Sequence, residues 1–215
     1  MIEVHIRHGQ TSPETHWHLT EEGIEQARQA AEYLRRHFPG GFDLGIHSPS
    51  PRACETAELL GRKEFTWLAD KRLKELDEGR KKGDEVPRDM HMADPPWEHF
   101  SWRASSDAES WGDQLARLTS LYQEVDQKYP NKDRIFVSHG GTLRITRMYR
   151  EGFTAETFSQ LFREPYKYFT NCQIIIYSDE DPATGLASPE TRWVKSVCPW
   201  DEGKFGHDWL KVSPF

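Results

Sequence analysis

The chain has 215 residues, a formal charge of −7 and three cysteines, with 29% charged and 36% hydrophobic residues. That length can bury a substantial core as one domain, and the acidic balance argues against a nucleic-acid surface, which needs a basic stripe. No apolar run is long enough for a membrane span, and no repeat or Pro/Gly/Ser linker divides the sequence. Cys54, Cys172 and Cys198 are odd in number and unpatterned, as expected of reduced thiols. The N-terminus also lacks the charged-then-apolar pattern of a leader, so the expectation is a cytoplasmic protein.

Ile2, Val4 and Ile6 alternate with polar residues, predicting a strand with one buried face that delivers Arg7, His8 and Gly9 at its carboxyl end. After a polar stretch from Gln10 to His18, Thr20 suits an N-cap, and Glu21 and Glu22 suit the positive first turn of a helix. Ile24, Ala27, Ala31, Leu34 and Phe38 then recur at helical spacing until Pro39-Gly40-Gly41. Asp43 to His47 reads as a strand, and Ser48-Pro49-Ser50-Pro51 as a turn into a helix from Arg52 to Leu60. Phe65 to Leu68 reads as a third strand. Leu73 to Ser106 is irregular and is expected to be a long functional loop. A helix is predicted over Asp107–Tyr129, a strand over Arg134–Ser138, and helices from Gly141 to Tyr149 and from Thr154 to Phe162. Strands over Cys172–Tyr177 and Thr191–Val197 follow, and the tail from Cys198 shows no period. This alternation predicts an α/β protein, a three-layer α/β/α sandwich around a mostly parallel, mixed sheet.

Two of the predicted strands end in the same device, a histidine followed by glycine: His8-Gly9 and His139-Gly140-Gly141. Were those strands neighbours, both imidazoles would face one anion, and the helix opening near Gly141 would add its backbone N–H groups and positive dipole end. Arg7 and Arg52 supply cations at comparable places, and arginine suits a phosphoryl group. Leu73-Lys74-Glu75-Leu76-Asp77-Glu78-Gly79 supplies carboxylates. His16-Trp17-His18 has a spacing that suits a metal on an extended segment, but exposed loop side chains near the site mouth are the better reading. Trp97, Trp102 and Trp111 either line a pocket or pack. Cys54 lies two residues after Arg52, which is not the order of a cysteine phosphatase, and Ser138 lacks the glycine-flanked elbow of a serine hydrolase.

Taken together, these four segments resemble the histidine phosphatase superfamily in its phosphoglycerate mutase-like branch. The resemblance extends to Leu19-Thr20, Gly23 and Gln26-Ala27, to Glu109-Ser110-Trp111-Gly112-Asp113 with Arg117, and to Thr170-Asn171-Cys172, covering roughly Met1 to Tyr177. It implies a phosphoglycerate mutase-like fold as a single domain over 1–215, with a loop-rich insertion at about 79–106 over the active site. His8 would be the nucleophile, Glu75 the proton donor, and Arg7, Arg52, His139 and Gly140 the phosphate-binding residues. Gln10, Thr11, Glu14, Lys81 and Lys82 would be possible substrate contacts, Lys81 and Lys82 meeting a second anionic group or forming a solvated loop. No cofactor and no metal is implied, and the expected partner is a small phosphorylated substrate rather than nucleic acid or membrane.

The sequence departs from the family pattern at Glu14, seven residues after Arg7, where family members commonly carry asparagine. A carboxylate there opposes a heavily anionic ligand, and the segment from Gln10 to Leu19 is shorter than in typical mutases. Both features favour a phosphomonoesterase using a phosphohistidine over a phosphoglycerate mutase-type isomerase, and the intact His8, His139 and Glu75 argue against a non-catalytic phospho-ligand binder.

Overall fold

The computed structural model describes residues 1–79, 100–103, 105–157, 160–161, 169–187, 192–201 and 206–212. Its elements run β1 (Ile2–Arg7), α1 (Glu21–His37), β2 (Leu44–His47), α2 (Pro51–Leu59), β3 (Leu68–Ala69), a 3-10 turn (Lys71–Leu73), α3 (Trp111–Lys128), β4 (Arg134–Ser138), α4 (Gly140–Glu151), β5 (Ile174–Ser178), β6 (Arg192–Val197) and β7 (His207–Val212). The strands form one open sheet in the order β3-β2-β4-β1-β5-β6-β7. β3, β2, β4 and β1 pair in parallel, whereas β5, β6 and β7 add antiparallel pairs beyond β1. The sheet is therefore mixed, as the alternating elements predict.

Two apolar clusters, one on each side of the sheet, make the three layers. On one side Val4, Ile6, Ile135, Val137 and Ile174 meet Ala27, Ala30 and Leu34 of α1 and Ala53 and Ala57 of α2. On the other, Leu44, Ile46 and Phe136 meet Leu118, Leu121 and Val125 of α3 and Ile145 of α4. Local chemistry sets the helix starts. Thr20 accepts the Gly23 N–H at the head of α1, and Pro51 occupies the first turn of α2, where its missing N–H costs nothing.

Several sequence expectations need correction. β1 is central and buried on both faces: Glu3 and His5 are as inaccessible as Val4 and Ile6. Its polar residues are kept because they are paired. Glu3 accepts from Arg134 Nε at 2.8 Å, from Arg150 Nε and Nη2 at 2.8 Å each, and from His5 Nε2 at 2.7 Å. α3 starts at Trp111 rather than Asp107, because Ser110 and Asp113 form a reciprocal capping box that fixes the first turn. The third strand is Leu68–Ala69, not Phe65–Leu68, since Phe65 and Trp67 pack into the cluster beneath α1 and α2.

After Thr154 residues 155–157 form a turn rather than the start of the predicted helix, with Thr154 N and Thr157 Oγ1 2.8 Å apart, and 160–161 are 3-10; the rest of the predicted span, 158, 159 and 162, lies outside the described residues. Conversely, the aperiodic tail contains β7. Asp208, Leu210 and Lys211 are exposed on this edge strand, and it is recruited by pairing with β6 across an irregular register near Val194 and Ser196. Of the expected insertion at 79–106, only Gly79, 100–103, 105 and 106 are described, so Lys81, Lys82 and Trp97 lie outside the described residues. Among the described residues no helix is long and apolar enough to cross a membrane.

Candidate active site

The parallel pairing of β1 with β4 sets Arg7 opposite Ser138, so His8 and His139 leave adjacent strands at the same level. Their ring centroids are 5.1 Å apart at an interplanar angle of 66°. The loop bearing His8 is held from three directions. His8 N donates to Ser138 O at 2.9 Å, Asn171 Nδ2 donates to His8 O at 3.0 Å, and Gly9 N donates to Thr56 Oγ1 at 3.1 Å. Gly9 itself rests against α1, where a Cβ would come within 2.4 Å of Gly23 O, so only glycine fits this approach.

The hydrogen-bonding roles of both imidazoles follow from their partners. A carbonyl only accepts and a guanidinium only donates. His8 Nδ1 lies 2.7 Å from Gly9 O and therefore carries the proton, while His8 Nε2 lies 3.0 Å from Arg52 Nε and presents its lone pair. Arg52 Nε also donates to His139 Nδ1 at 3.3 Å, so His139 carries its proton on Nε2, which donates to Ser48 Oγ at 2.8 Å. One arginine N–H thus faces two neutral nitrogen lone pairs.

The electrostatics keep both rings neutral. Burial, then Arg7 and Arg52, push the His8 imidazolium down to about 3 from its usual 6.5. Burial, then His8, Arg52, Arg7 and Arg117, hold His139 well below the usual histidine range. Arg7 donates from Nη1 to Phe169 O. Its Nε is buried with no hydrogen-bond partner among the described residues, and a Cβ on Gly140 would stand 3.6 Å from it. An unspent cationic donor beside the start of α4 is suited to an anion.

Glu75 completes the group. Its Oε2 accepts from Gly141 N at 3.2 Å and its Oε1 from Leu76 N at 3.0 Å. Its charge is felt by Arg7, Arg52 and Arg144 alike. A cleft of about 570 Å³ opens beside it, lined by Ser50, Lys71, Lys74, Glu75, Asp77 and Arg117 among others.

The structure thus brings Arg7, His8, Arg52, Glu75, His139 and Gly140 together. The other expected contacts among the described residues are engaged elsewhere or exposed. Gln10 donates to Glu22 Oε2 at 2.8 Å and accepts from Thr20 Oγ1 at 2.7 Å, which ties it to the start of α1. Thr11 bridges Leu19. Glu14 is exposed, and its carboxylate is held below its usual range by its own backbone N–H and by Ser12 rather than by the site's arginines. His16 and Trp17 take left-handed backbone conformations on an exposed turn, and His18 pairs with Glu55. Among the described residues no group of three or more His, Cys, Asp or Glu is placed to hold a metal ion.

Two contributors escape sequence reasoning. Ser48 is wholly buried and holds His139, yet in a Ser-Pro-Ser-Pro run it reads only as a turn residue. Arg144, one turn into α4, lies over the Phe169 ring at 5.5 Å. Burial lowers its guanidinium to about 10 from 12.5, with Glu75 opposing that shift and Arg7 adding to it. Its spacing from His139, inward on the same helix, is the signal that would have found it.

Fold and site define a class: an open α/β sheet with paired imidazoles and arginines at the carboxyl ends of adjacent parallel strands. The profile of the histidine phosphatase superfamily (branch 1) matches residues 4–182, and the chain belongs to that superfamily. Among solved structures, the mycobacterial glucosyl-3-phosphoglycerate phosphatase in complex with inorganic phosphate is 26% identical, with a TM-score of 0.65 and coverage of 82% of this chain and 89% of that one. Bacillus stearothermophilus YhfR is 21% identical, with a TM-score of 0.65 and coverage of 87% and 95%. The phosphoserine phosphatase of Entamoeba histolytica in complex with 3-phosphoglyceric acid is 20% identical, with a TM-score of 0.60 and coverage of 83% and 90%. These last two share the fold. No curated protein matches the chain.

Proposed function

We propose that the protein is a phosphomonoesterase that hydrolyses a small phosphate ester through a phosphohistidine on His8, without a metal ion. The observation that carries this reading is the tautomer of His8. With Nδ1–H fixed on Gly9 O, the Nε2 lone pair faces the cationic group and is ready to attack phosphorus without first losing a proton. Phosphoryl transfer spreads negative charge over the equatorial oxygens, so positioned cations supply most of the catalysis. Arg7, with its unspent Nε, and Arg52 fill that role, and His139 stands beside them to meet a phosphate oxygen. Glu75 would protonate the leaving alkoxide and then activate the water that releases phosphate from His8. The neighbouring cleft would receive the leaving group, and the relatives named as phosphatases favour hydrolysis over isomerisation.

The test is phosphate release from a panel of monoesters, with exchange on phosphoglycerate followed in parallel. Release that a chelator leaves unchanged is the expected result. Exchange with little free phosphate would overturn hydrolysis in favour of a mutase.

Two variants probe the placement of the parts. A Cβ at position 141 would stand 2.4 Å from Glu75 Oε1. Gly141→Ala should therefore lower kcat by about 10²-fold, since displacement of a catalytic group by about 1 Å costs that much. An unchanged kcat would remove Glu75 from the chemistry. Arg52→Lys keeps the charge but loses the Nε–H that spans both imidazoles. A loss of about 10²–10³ in kcat/KM is expected, as for one preorganised donor, and a fall below about tenfold would contradict the role given to Arg52.

A further inference from the structure

His139 is the side chain whose protonation the proposed chemistry leaves open. Its Nδ1 lone pair points into the phosphoryl-binding group, where a phosphate oxygen also brings lone pairs, and two acceptors cannot satisfy each other. The groups facing His139 cannot lend it a proton. They are His8 and Arg7 from the end of β1, Arg52 from α2 and Arg117 from α3. His8 has its only N–H committed to Gly9 O, and arginine does not deprotonate. Glu75 is held at Gly141, two residues along α4, by the backbone N–H at 3.2 Å.

Ser48 fixes the arrangement from behind. Its N–H donates to Val137 O at 2.9 Å, anchoring the turn after β2 against β4. Its hydroxyl donates to Ser50 Oγ at 3.2 Å and accepts from Ser50 N at 3.3 Å, which leaves it an acceptor toward His139 Nε2. Ser48 and His139 are both fully buried, so neither bond competes with solvent.

We infer that phosphate capture is coupled to uptake of a proton, held between a phosphate oxygen and His139 Nδ1, and that Ser48 is the positioning residue that aims that nitrogen. The inference rests on the phosphoryl-binding reading given above. A dianionic phosphate and one proton from solvent become a bound pair, and no bond to phosphorus forms or breaks in this step. A monoanion brings the same proton as its own P–OH. Ser48 Oγ continues to accept from Nε2–H in the resulting imidazolium, so it supports the charged ring as well as the neutral one. Phosphate esters lose their second proton near about pH 6, so the coupling is visible above that pH, where a proton must be drawn from solution.

The experiment is calorimetric titration of the full chain with inorganic phosphate near pH 8, in buffers of different ionisation enthalpy. Wild type should take up about one proton per phosphate. Ser48→Ala should bind phosphate about tenfold or more weakly, as for loss of one buried hydrogen bond, with proton uptake reduced. Ser48→Thr, which keeps the hydroxyl, should recover both. Binding by wild type without proton uptake overturns the inference, and Ser48→Ala matching wild type in affinity and proton count overturns the part given to Ser48.

Should the alanine variant not fold, nitrogen-15 NMR of the wild-type histidines decides. His139 should move from an Nε2–H neutral ring to an imidazolium on adding phosphate, and a ring that stays neutral contradicts the inference. Phosphorylation of His8 is read on the same protein. Proton uptake without label on His8 fails the hydrolase reading alone, and label without uptake fails this inference alone.

Discussion

Replacing His8 with alanine is expected to lower turnover by about 10⁶-fold, the scale seen when a covalent nucleophile is removed from a preorganised site. The cause is specific. His8 Nε2 presents its lone pair to Arg52 Nε at 3.0 Å, and of the two imidazoles it is the one assigned to attack, His139 Nδ1 at 3.3 Å being given to a phosphate oxygen; Cys54 is engaged with His47 and Ser48 O. Binding should survive, because Arg7, Arg52 and His139 remain. Phosphate affinity measured on the variant should therefore stay within about tenfold of wild type. A variant that still turned over at more than about a thousandth of the wild-type rate would mean the covalent route is not the main one.

The second large effect is on stability. Glu3 is buried at the centre of the sheet and neutralises Arg134 and Arg150, which also reach Asp126. Burial alone would raise the Glu3 carboxyl, but Arg150, Arg134 and His5 together hold it well below its ordinary 4.5. Glu3→Ala leaves two buried guanidiniums without their main counter-charge, and should cost about 3–5 kcal/mol. In a domain of this size that is a fall in Tm of about 10 °C. A loss under about 1 kcal/mol, measured by denaturant unfolding, would show that the cluster relaxes onto Asp126.

Buried histidines, together with Glu3, set the acid limb of stability. His5, His8 and His139 are all depressed below 6.5, so the unfolded chain binds more protons and stability is lost as pH falls below about 6.5. Glu3, an acid depressed below 4.5, adds a further loss as pH falls below that value. His8→Ala should therefore be less acid-labile than wild type between pH 6.5 and 3.

Much of the site was legible because its residues sit at element ends. A histidine followed by glycine after an apolar strand reads directly as a side chain delivered to a sheet edge, and Arg52 just inside a proline-started helix reads in the same way. Glu75 was legible by its register before Gly79. What the sequence hid depends on which strands are neighbours. Glu3 and His5 look like the solvent face of a half-buried strand, and only β4 on one side and β5 on the other, with α3 and α4 packed above, make them interior. Ser48 matters because β2 lies beside β4, and Gln10 is turned away because α1 starts where its amide can reach. β7 was missed because an exposed edge strand alternates charge and aromatic residues too weakly to announce itself.

The central claim is most directly tested by trapping the enzyme during turnover of a phosphate-labelled ester and mapping the label. The expected result is an acid-labile phosphohistidine at His8, with phosphorus on Nε2, because Nδ1 is committed to Gly9 O. Label at Nδ1, on His139 or on any other residue, or an enzyme that turns over without ever carrying phosphate, would contradict it.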